Sequence, residues 1–176
     1  MKPIVIIFAH PSPKRSRLNL PLINAAKSLD HVSVRDLYEL YPNLHIDTQM
    51  EQDAARQAET IIFQFPIHWF SAPAILKEWQ DSVLTSSFAY GNGERALVDK
   101  RFMLVASSGG STSSYSQRGR HGASLASYLA PFEQTARFCG MKPQENFIVQ
   151  NAGDLTQYDL EQNIQAYENR LMFLGK

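Results

Sequence analysis

Residues 4–19 read IVIIFAHPSPKRSRLN, and this stretch decides the fold. Its first six residues form an unbroken apolar run, which is typical of a parallel strand buried on both faces. Residues 19–29 then carry apolar side chains at helical spacing. A buried strand that leads through a polar loop into a helix is the first unit of an α/β fold.

The same unit recurs along the chain. Four more strands are predicted, one from alternating apolar residues at 32–37 and the others at residues 60–65, 101–107 and 147–150. Further helices are predicted from a capping box at Thr48, from a cap at Ser71 to residue 84, and over residues 124–139 and 160–174. Right-handed crossovers between five strands predict a flavodoxin-like three-layer sandwich. It has a parallel sheet in the order 2-1-3-4-5 and helices on both faces, in one domain spanning residues 1–176.

The charge balance argues against one class of function. The 17 Lys and Arg residues equal the 17 Asp and Glu residues in number, so the chain lacks the basic field of a nucleic-acid-binding protein. Cys139 is the only cysteine, which excludes an internal disulfide and leads us to expect a cytoplasmic protein. The histidines have no tight ligand spacing, so no metal site is expected.

In sheets of this kind ligands bind beyond the carboxyl ends of the strands, which directs attention to three loops. The first, residues 10–19, joins strand one to a helix N-terminus, where free N–H groups and the helix dipole favour an anion. Ser16 and Asn19 offer hydrogen bonds and Arg17 a positive charge, so a flavin mononucleotide phosphate would fit. A plain helix cap with solvated basic side chains explains this loop equally well.

The second loop, residues 64–71, follows strand three, which Pro66 is predicted to end. Trp69 and Phe70 come next, at the sheet edge, where aromatic side chains can bracket a flat ring and backbone N–H groups can meet its polar rim. The alternative is that both aromatic residues only pack on the following helix.

The third loop, residues 107–122, is rich in glycine and hydroxyl groups. Gly109 and Gly110 allow a backbone to approach a ligand closely. Tyr115 and His121 could donate hydrogen bonds to negative charge that develops on a reduced flavin ring, and the imidazole could take up a proton near neutral pH. A flexible solvated loop is the alternative interpretation.

The third loop also carries the clearest resemblance. The segments Gly109–Ser111, Tyr115–Ser116 and Gly119–Gly122 resemble, with the same internal spacing, the flavin loop of the NAD(P)H:quinone oxidoreductases of the DT-diaphorase type. Residues 88–90, Phe-Ala-Tyr, match a second segment of that family. Residues 36–47 are similar to its short bacterial members, which are ancillary subunits of glutathione-gated potassium-efflux transporters.

The resemblance implies a homodimer with flavin bound at the subunit interface. FMN is expected, with FAD as the alternative, because the chain is shorter than the long mammalian-type enzymes. The implied flavin contacts are His10, Ser16, Arg17, Leu18, Asn19, Pro66, Ile67, His68, Trp69, Phe70, Ser107, Ser108, Gly109, Gly110 and Tyr115. Tyr115 and His121 are the implied catalytic pair. Tyr90, from across the interface, is implied to line the acceptor pocket together with Phe88 and Trp69.

The resemblance therefore predicts a two-electron NAD(P)H:quinone oxidoreductase with a ping-pong mechanism and quinone-type acceptors. The alternative is a regulatory subunit of a membrane potassium-efflux transporter, held peripherally at the inner membrane by that partner. A one-electron flavodoxin carrier is disfavoured, since such carriers use an acidic face and this chain is neutral. A flavin-free α/β domain is the remaining possibility, and a colourless purified protein would favour it.

Overall fold

The buried apolar runs form a single parallel sheet in a computed structural model that describes residues 1–176. Its strands are β1 (Ile4–Phe8), β2 (Val32–Asp36), β3 (Thr60–Pro66), β4 (Arg101–Ser107), β5 (Lys142–Pro143) and β6 (Phe147–Val149). The strand order β2-β1-β3-β4-β5 confirms the predicted flavodoxin-like order. Pro66 does not interrupt β3 but is its last residue, paired with Ser107.

The predicted fifth strand is two short strands, β5 and β6, that both pair with β4. Between them the side-chain Oδ1 of Asn146 accepts a hydrogen bond from the Leu104 N–H at 3.0 Å. This bond replaces the one that a continuous fifth strand would make there. The sequence prediction missed β5 because two residues, one of them a proline, give no apolar run.

Helices cover both faces of the sheet, as predicted. They are α1 (Asn19–Lys27), α2 (Leu37–Leu40), α3 (Thr48–Gln57), α4 (Ala74–Val83), α5 (Leu125–Phe138) and α6 (Gln157–Leu174). Side chains of the strands alternate between two buried clusters because successive residues point to opposite faces. Ile4 and Ile6 pack with α1 and α6, whereas Val5 and Ile7 belong to the larger cluster that includes α4 and α5.

Three helix starts differ from the prediction. Asp47, not Thr48, caps α3 by accepting a hydrogen bond from the Met50 N–H at 3.0 Å. α4 begins after Pro73 without a side-chain cap, because Ser71 is engaged in a tight turn with His68. α6 begins three residues earlier than predicted, at a capping box that Thr156 and Asp159 form.

Glu51 of α3 is a buried carboxylate, although the predicted capping box had assigned it to the start of the helix. Glu51 is fully buried and accepts hydrogen bonds from Arg35 at 2.6 and 3.0 Å, from the Tyr41 hydroxyl at 2.7 Å and from the Trp79 Nε1 at 2.8 Å. Burial, and then the bond to Glu51, raise the pKa of Tyr41 to about 12. The cluster ties β2, α3, α4 and the segment around Tyr41 together.

The carboxyl ends of the central strands bring the three loops to one edge of the sheet. The Ile67 N–H donates to the Ser107 carbonyl at 2.7 Å, and the Ser108 N–H donates to the Val149 carbonyl at 3.0 Å. The loops therefore start from fixed positions on a rigid sheet. None of the helices has both the length and the apolar character needed to cross a lipid bilayer.

Candidate functional site

Two adjoining clefts open at the carboxyl edge of the sheet, with volumes of about 320 and 550 Å³. The smaller, here the basic cleft, is lined by His10, Arg15, Ser16, Arg17, Asn19, Pro66, Ile67, His68, Ser107, Ser108, Gly109, Ala152 and Gly153. The larger, here the aromatic cleft, is lined by Ile67, Trp69, Phe70, Gly109, Gly110, Ser111, Ser114, Tyr115, Arg120, His121 and Asn151. Ile67 and Gly109 belong to both, so the clefts form one trough.

The basic cleft is built on a buried amide. Asn19, 2% exposed, donates through Nδ2 to the Ser107 hydroxyl at 2.8 Å and to the Ser16 hydroxyl at 3.2 Å. The Asn19 N–H also donates to the Ser16 hydroxyl at 2.8 Å. Leu18 is the N-cap residue of α1, and Ser16 accepts the N–H of the first helical residue while its own O–H remains free to donate into the cleft. The hydroxyl can therefore serve both the helix start and a bound phosphate, the two interpretations that the sequence left open.

Two imidazoles flank the basic cleft. Nδ1 of His10 accepts a hydrogen bond from the Ser12 N–H at 3.1 Å, which leaves the proton of a neutral ring on Nε2. Burial, and then the neighbouring His68, lower the pKa of His10. The neutral form of His10 is therefore favoured in the free protein.

A two-residue turn forms one wall of the aromatic cleft. His68 and Ser71 exchange two backbone hydrogen bonds of 2.9 Å, and the residues between them, Trp69 and Phe70, have φ values of 48° and 62°. Left-handed backbone at two consecutive bulky residues costs roughly 1–2 kcal/mol per residue. Trp69 is nevertheless 93% exposed, so the turn presents its indole to whatever covers the cleft.

Tyr115 and His121 also line the aromatic cleft, with ring centroids 4.4 Å apart. A Cβ at Gly110 would lie 2.8 Å from Cε2 of Tyr115 and 3.3 Å from Nε2 of His121, so only glycine leaves room for the pair. Burial, and then Tyr128, raise the pKa of the Tyr115 phenol. The structure brings the predicted pair together, next to Phe70, whose ring centroid is 5.3 Å from that of His121.

Tyr128, which the sequence analysis did not select, supports this pair. Its hydroxyl donates to the His121 carbonyl at 3.1 Å, and its ring lies 5.1 Å from Phe70 and 6.1 Å from Tyr115. The predicted helix over residues 124–139 places Tyr128 near its start. The sequence does not show that the side chain of Tyr128 points towards His121. Nothing in its sequence context indicates the contact.

Two residues of the predicted acceptor pocket lie outside the trough. Phe88 is only 2% exposed and sits under the Arg56 guanidinium at 5.3 Å, so its assignment to the pocket is wrong. Tyr90 packs on Phe138 at 5.0 Å, in a separate groove between α4 and α5. It does not reach the aromatic cleft of its own chain, and its predicted role across an interface stays a prediction.

A fourth loop, after β6, completes the trough and was missed. The Asn151 N–H donates to the Gly110 carbonyl at 3.1 Å, and the Ala152 N–H donates to the Ser108 carbonyl at 2.9 Å. Asn151 has a φ of 55°, a conformation that asparagine tolerates better than most residues. The sequence Asn-Ala-Gly at residues 151–153 contains two residue types that favour turns, and it could have indicated this loop.

Free backbone donors run along the trough. Among the lining residues, the N–H groups of Arg17, Trp69, Phe70, Gly109 and Gly110 have no acceptor within the chain, and neither has that of Leu18, beside Arg17. Leu18 is buried and Gly110 half-buried, so their N–H groups require partners, whereas the other four belong to exposed residues and can be offered to a ligand. Donors beside two arginines suit a phosphate, and donors beside an aromatic cleft suit the carbonyl-rich rim of a flat ring. The donor set is therefore chemically suited to FMN.

Comparison with known proteins agrees with this geometry. The chain is 37% identical over 169 residues to the glutathione-regulated potassium-efflux system ancillary protein KefF of Citrobacter koseri. The matched residues make up 96% of this chain and 95% of that protein. It is 36% identical over 165 residues to the uncharacterized NAD(P)H oxidoreductase YrkL of Bacillus subtilis, with 94% of each chain covered.

Solved structures superpose closely. General stress protein 14 of Treponema denticola, in complex with FMN, has a TM-score of 0.92 at 32% identity, covering 98% of this chain and 99% of that one. An NADPH-quinone reductase from P. pentosaceus has a TM-score of 0.87 at 27% identity, with 96% of both chains covered. The family model described as a flavodoxin-like fold matches residues 2–171. This chain therefore belongs to the family of proteins with the flavodoxin-like fold.

Proposed function

We propose that this chain is an NAD(P)H:quinone oxidoreductase that binds FMN in the trough and passes two electrons, as a hydride, to quinone-type acceptors. The observation that carries the proposal is that the basic and aromatic clefts join at Ile67 and Gly109. A cofactor with an anionic tail and a flat redox ring needs two such adjoining sites. Relatives named as an NAD(P)H oxidoreductase and an NADPH-quinone reductase support the same chemistry.

The basic cleft would hold the FMN phosphate. The free hydroxyl of Ser16 and the unpaired N–H groups of Arg17 and Leu18 lie at the start of α1, where the helix dipole also favours an anion. Asn19 keeps these groups in position through its bonds to Ser16 and Ser107. FMN is proposed rather than FAD because the neighbour from Treponema denticola contains FMN.

The aromatic cleft would hold the ring and the reacting partners. Bound FMN would supply a ring that accepts a hydride from the nicotinamide and later gives it to the acceptor. Overall, NAD(P)H, one proton and a quinone become NAD(P)⁺ and a hydroquinone. Tyr115 can donate a hydrogen bond at neutral pH because a phenol is protonated there, and burial raises its pKa further. His121 can hold the required proton at Nε2, the atom beside Gly110.

Donor and acceptor would use the same cleft in turn, which is a ping-pong mechanism. The turn at Trp69 and Phe70 and the pair of Tyr115 and His121 line one open cleft beside Gly110. Tyr128 would fix the imidazole through its bond to the His121 carbonyl.

A homodimer forms part of the proposal. Trp69 is 93% exposed and Phe138 is 64% exposed, and both would be covered if a second copy packed against this side of the molecule. Tyr90 of the partner subunit would then complete the acceptor pocket. Light scattering should give twice the mass of the chain, and a monomer at working concentration would contradict this part.

The test of the proposed function is spectroscopic. Protein loaded with FMN should show the flavin absorption bands, lose them on anaerobic addition of NADPH or NADH, and regain them when a quinone such as menadione is added. The number of NAD(P)H molecules oxidised should equal the number of quinones reduced. Protein that binds FMN but is not bleached by either nucleotide would overturn the proposal.

A second function is favoured by the 37% identity to a potassium-efflux ancillary protein over 96% of this chain. The segment around Tyr41, held by Glu51, would be a suitable contact for such a partner. Co-expression with a glutathione-gated potassium-efflux transporter should increase potassium loss from cells. Repeating the assay with His121→Ala would separate a regulatory role, which survives the change, from one that needs turnover.

A further inference from the structure

The charge of the trough differs from that of the whole chain. No Asp or Glu lines either cleft, although acidic and basic residues are equal in number overall. Three arginines do line the trough: Arg15 and Arg17 in the basic cleft, and Arg120 in the aromatic cleft. None of the three has a carboxylate within ion-pair distance. A neutral protein has thus concentrated unpaired cations where ligands bind, which indicates anionic ligands.

Arg120 faces a different part of the trough from the other two arginines. Arg15 and Arg17 are accounted for by the proposed cofactor phosphate. Arg120 lines only the aromatic cleft, where the cofactor ring would lie and no cofactor phosphate is expected. An anionic partner for Arg120 would therefore belong to the second ligand of that cleft.

The backbone around Arg120 is fixed. The Gly119 N–H donates to the Ser116 carbonyl at 3.0 Å, and the His121 N–H donates to the Ser114 carbonyl at 3.1 Å. A Cβ at Gly119 would lie 2.1 Å from the Ser113 carbonyl oxygen, so the turn is as tight as glycine allows. The main chain at Arg120 is therefore held next to the proposed catalytic imidazole, and the exposed guanidinium lines the aromatic cleft.

The surroundings of Arg120 suit a phosphate. Ser111, Ser114 and Asn151 line the same cleft and offer hydroxyl and amide donors. A guanidinium presents several N–H groups in one plane and binds phosphate with two parallel hydrogen bonds. The quinone acceptors of the proposed function carry no such group, whereas the nicotinamide donor does.

We propose that Arg120 binds a phosphate group of the nicotinamide dinucleotide and so determines how tightly the electron donor is held. The proposal rests on the proposed function and adds the residue that recognises the co-substrate. The phosphate is either the 2′-phosphate of NADPH or the pyrophosphate bridge that both nucleotides share, and the experiment below distinguishes them.

The test is equilibrium binding of the oxidised nucleotides NADP⁺ and NAD⁺ to FMN-loaded protein, which needs no turnover. Of the two tryptophans, Trp79 is 1% exposed and Trp69 is 93% exposed in the aromatic cleft, so quenching of Trp69 fluorescence reports binding. Arg120→Gln should weaken binding by about tenfold to a hundredfold, the loss expected for a charge-assisted hydrogen-bond pair. Arg118→Gln is the matched control, because Arg118 is exposed and does not line the cleft.

The outcomes separate cleanly. Loss of NADP⁺ affinity alone supports the proposal with the 2′-phosphate as the ligand, and equal loss for both nucleotides supports it with the pyrophosphate. Unchanged affinity in Arg120→Gln, or an equal loss in Arg118→Gln, overturns it. If the unaltered protein binds neither nucleotide and is not bleached by NADPH, the proposed function itself has failed.

Discussion

The two clefts of the trough are built on opposite principles. In the basic cleft Asn19, Ser107 and Ser108 are at most 4% exposed and satisfy one another or nearby backbone, so folding itself sets their positions. In the aromatic cleft Trp69 is 93% exposed on a left-handed turn. A cleft held by core hydrogen bonds is ready for its ligand. In the aromatic cleft the Trp69 indole of the strained turn makes few contacts within the chain. A ligand or a second copy that covers this indole would stabilise the turn.

The largest effect is expected in the aromatic cleft. His121→Ala should lower turnover by about tenfold to a thousandfold, because one proton donor at the site of charge development is lost. FMN content should change little, since His121 lies away from the basic cleft. Steady-state quinone reduction measures the effect, and His45→Ala, an exposed histidine outside the trough, is the control. A normal rate in His121→Ala would exclude this imidazole from the mechanism.

The next effect should fall on the basic cleft. Ser16→Ala removes a hydrogen bond to a charged phosphate and should weaken FMN affinity by about tenfold to a hundredfold. It also removes the acceptor of the Asn19 N–H at the start of α1, a loss comparable to that of a helix cap, about 1 kcal/mol of stability. Thr156→Ala removes the cap of α6 alone and corrects for that loss. Flavin release on dilution is the measurement. Equal FMN affinity in the two variants would mean that Ser16 serves only the start of the helix.

The packing of Tyr115 and His121 against Gly110 can be tested with two glycines. A Cβ at Gly110 meets Tyr115 at 2.8 Å, whereas a Cβ at Gly109 meets nothing within 4 Å. In the cofactor-free protein Gly110→Ala should lower the free energy of unfolding by about 1–3 kcal/mol, the usual cost of overpacking. Gly109→Ala should leave it unchanged. Thermal unfolding of both variants checks this, and equal melting temperatures would mean that the pair moves freely.

The smallest effect concerns the strained turn. Trp69→Asn should raise the free energy of unfolding by up to about 1 kcal/mol, because asparagine tolerates a left-handed backbone and the exposed indole contributes little packing. Leu44→Asn, at another exposed residue with a φ of 62°, should give a similar gain. Only the change at Trp69 should lower turnover. If both variants keep full turnover, the turn has no functional role.

Most of the fold could be predicted because three strands, β1, β3 and β4, are largely apolar runs with buried side chains on both faces. The limits appear where tertiary contacts replace local signals. The split of the fifth strand depends on Asn146, whose side chain bonds to Leu104 far along the chain. The burial of Glu51 depends on donors from three other segments, so its local capping pattern was misleading.

The trough was predictable where glycines and helix starts mark it. Ser16, Gly109, Gly110, Tyr115 and His121 all line it or pack within it. Phe88 was assigned wrongly because its neighbours in sequence do not reveal that Arg56 covers its ring. The loop at Asn151 and the support from Tyr128 were missed because each acts through contacts with distant backbone carbonyls.

The Glu51 cluster has a consequence for anyone who surveys tolerance to substitution in this protein. Removing the carboxylate would strand the guanidinium of Arg35, the phenol of Tyr41 and the indole N–H of Trp79 at once, each in the interior. Every member of the quartet should therefore resist change as strongly as the residues of the trough. Intolerance at these four positions would reflect architecture, and a map of essential residues alone would mistake it for a second active centre.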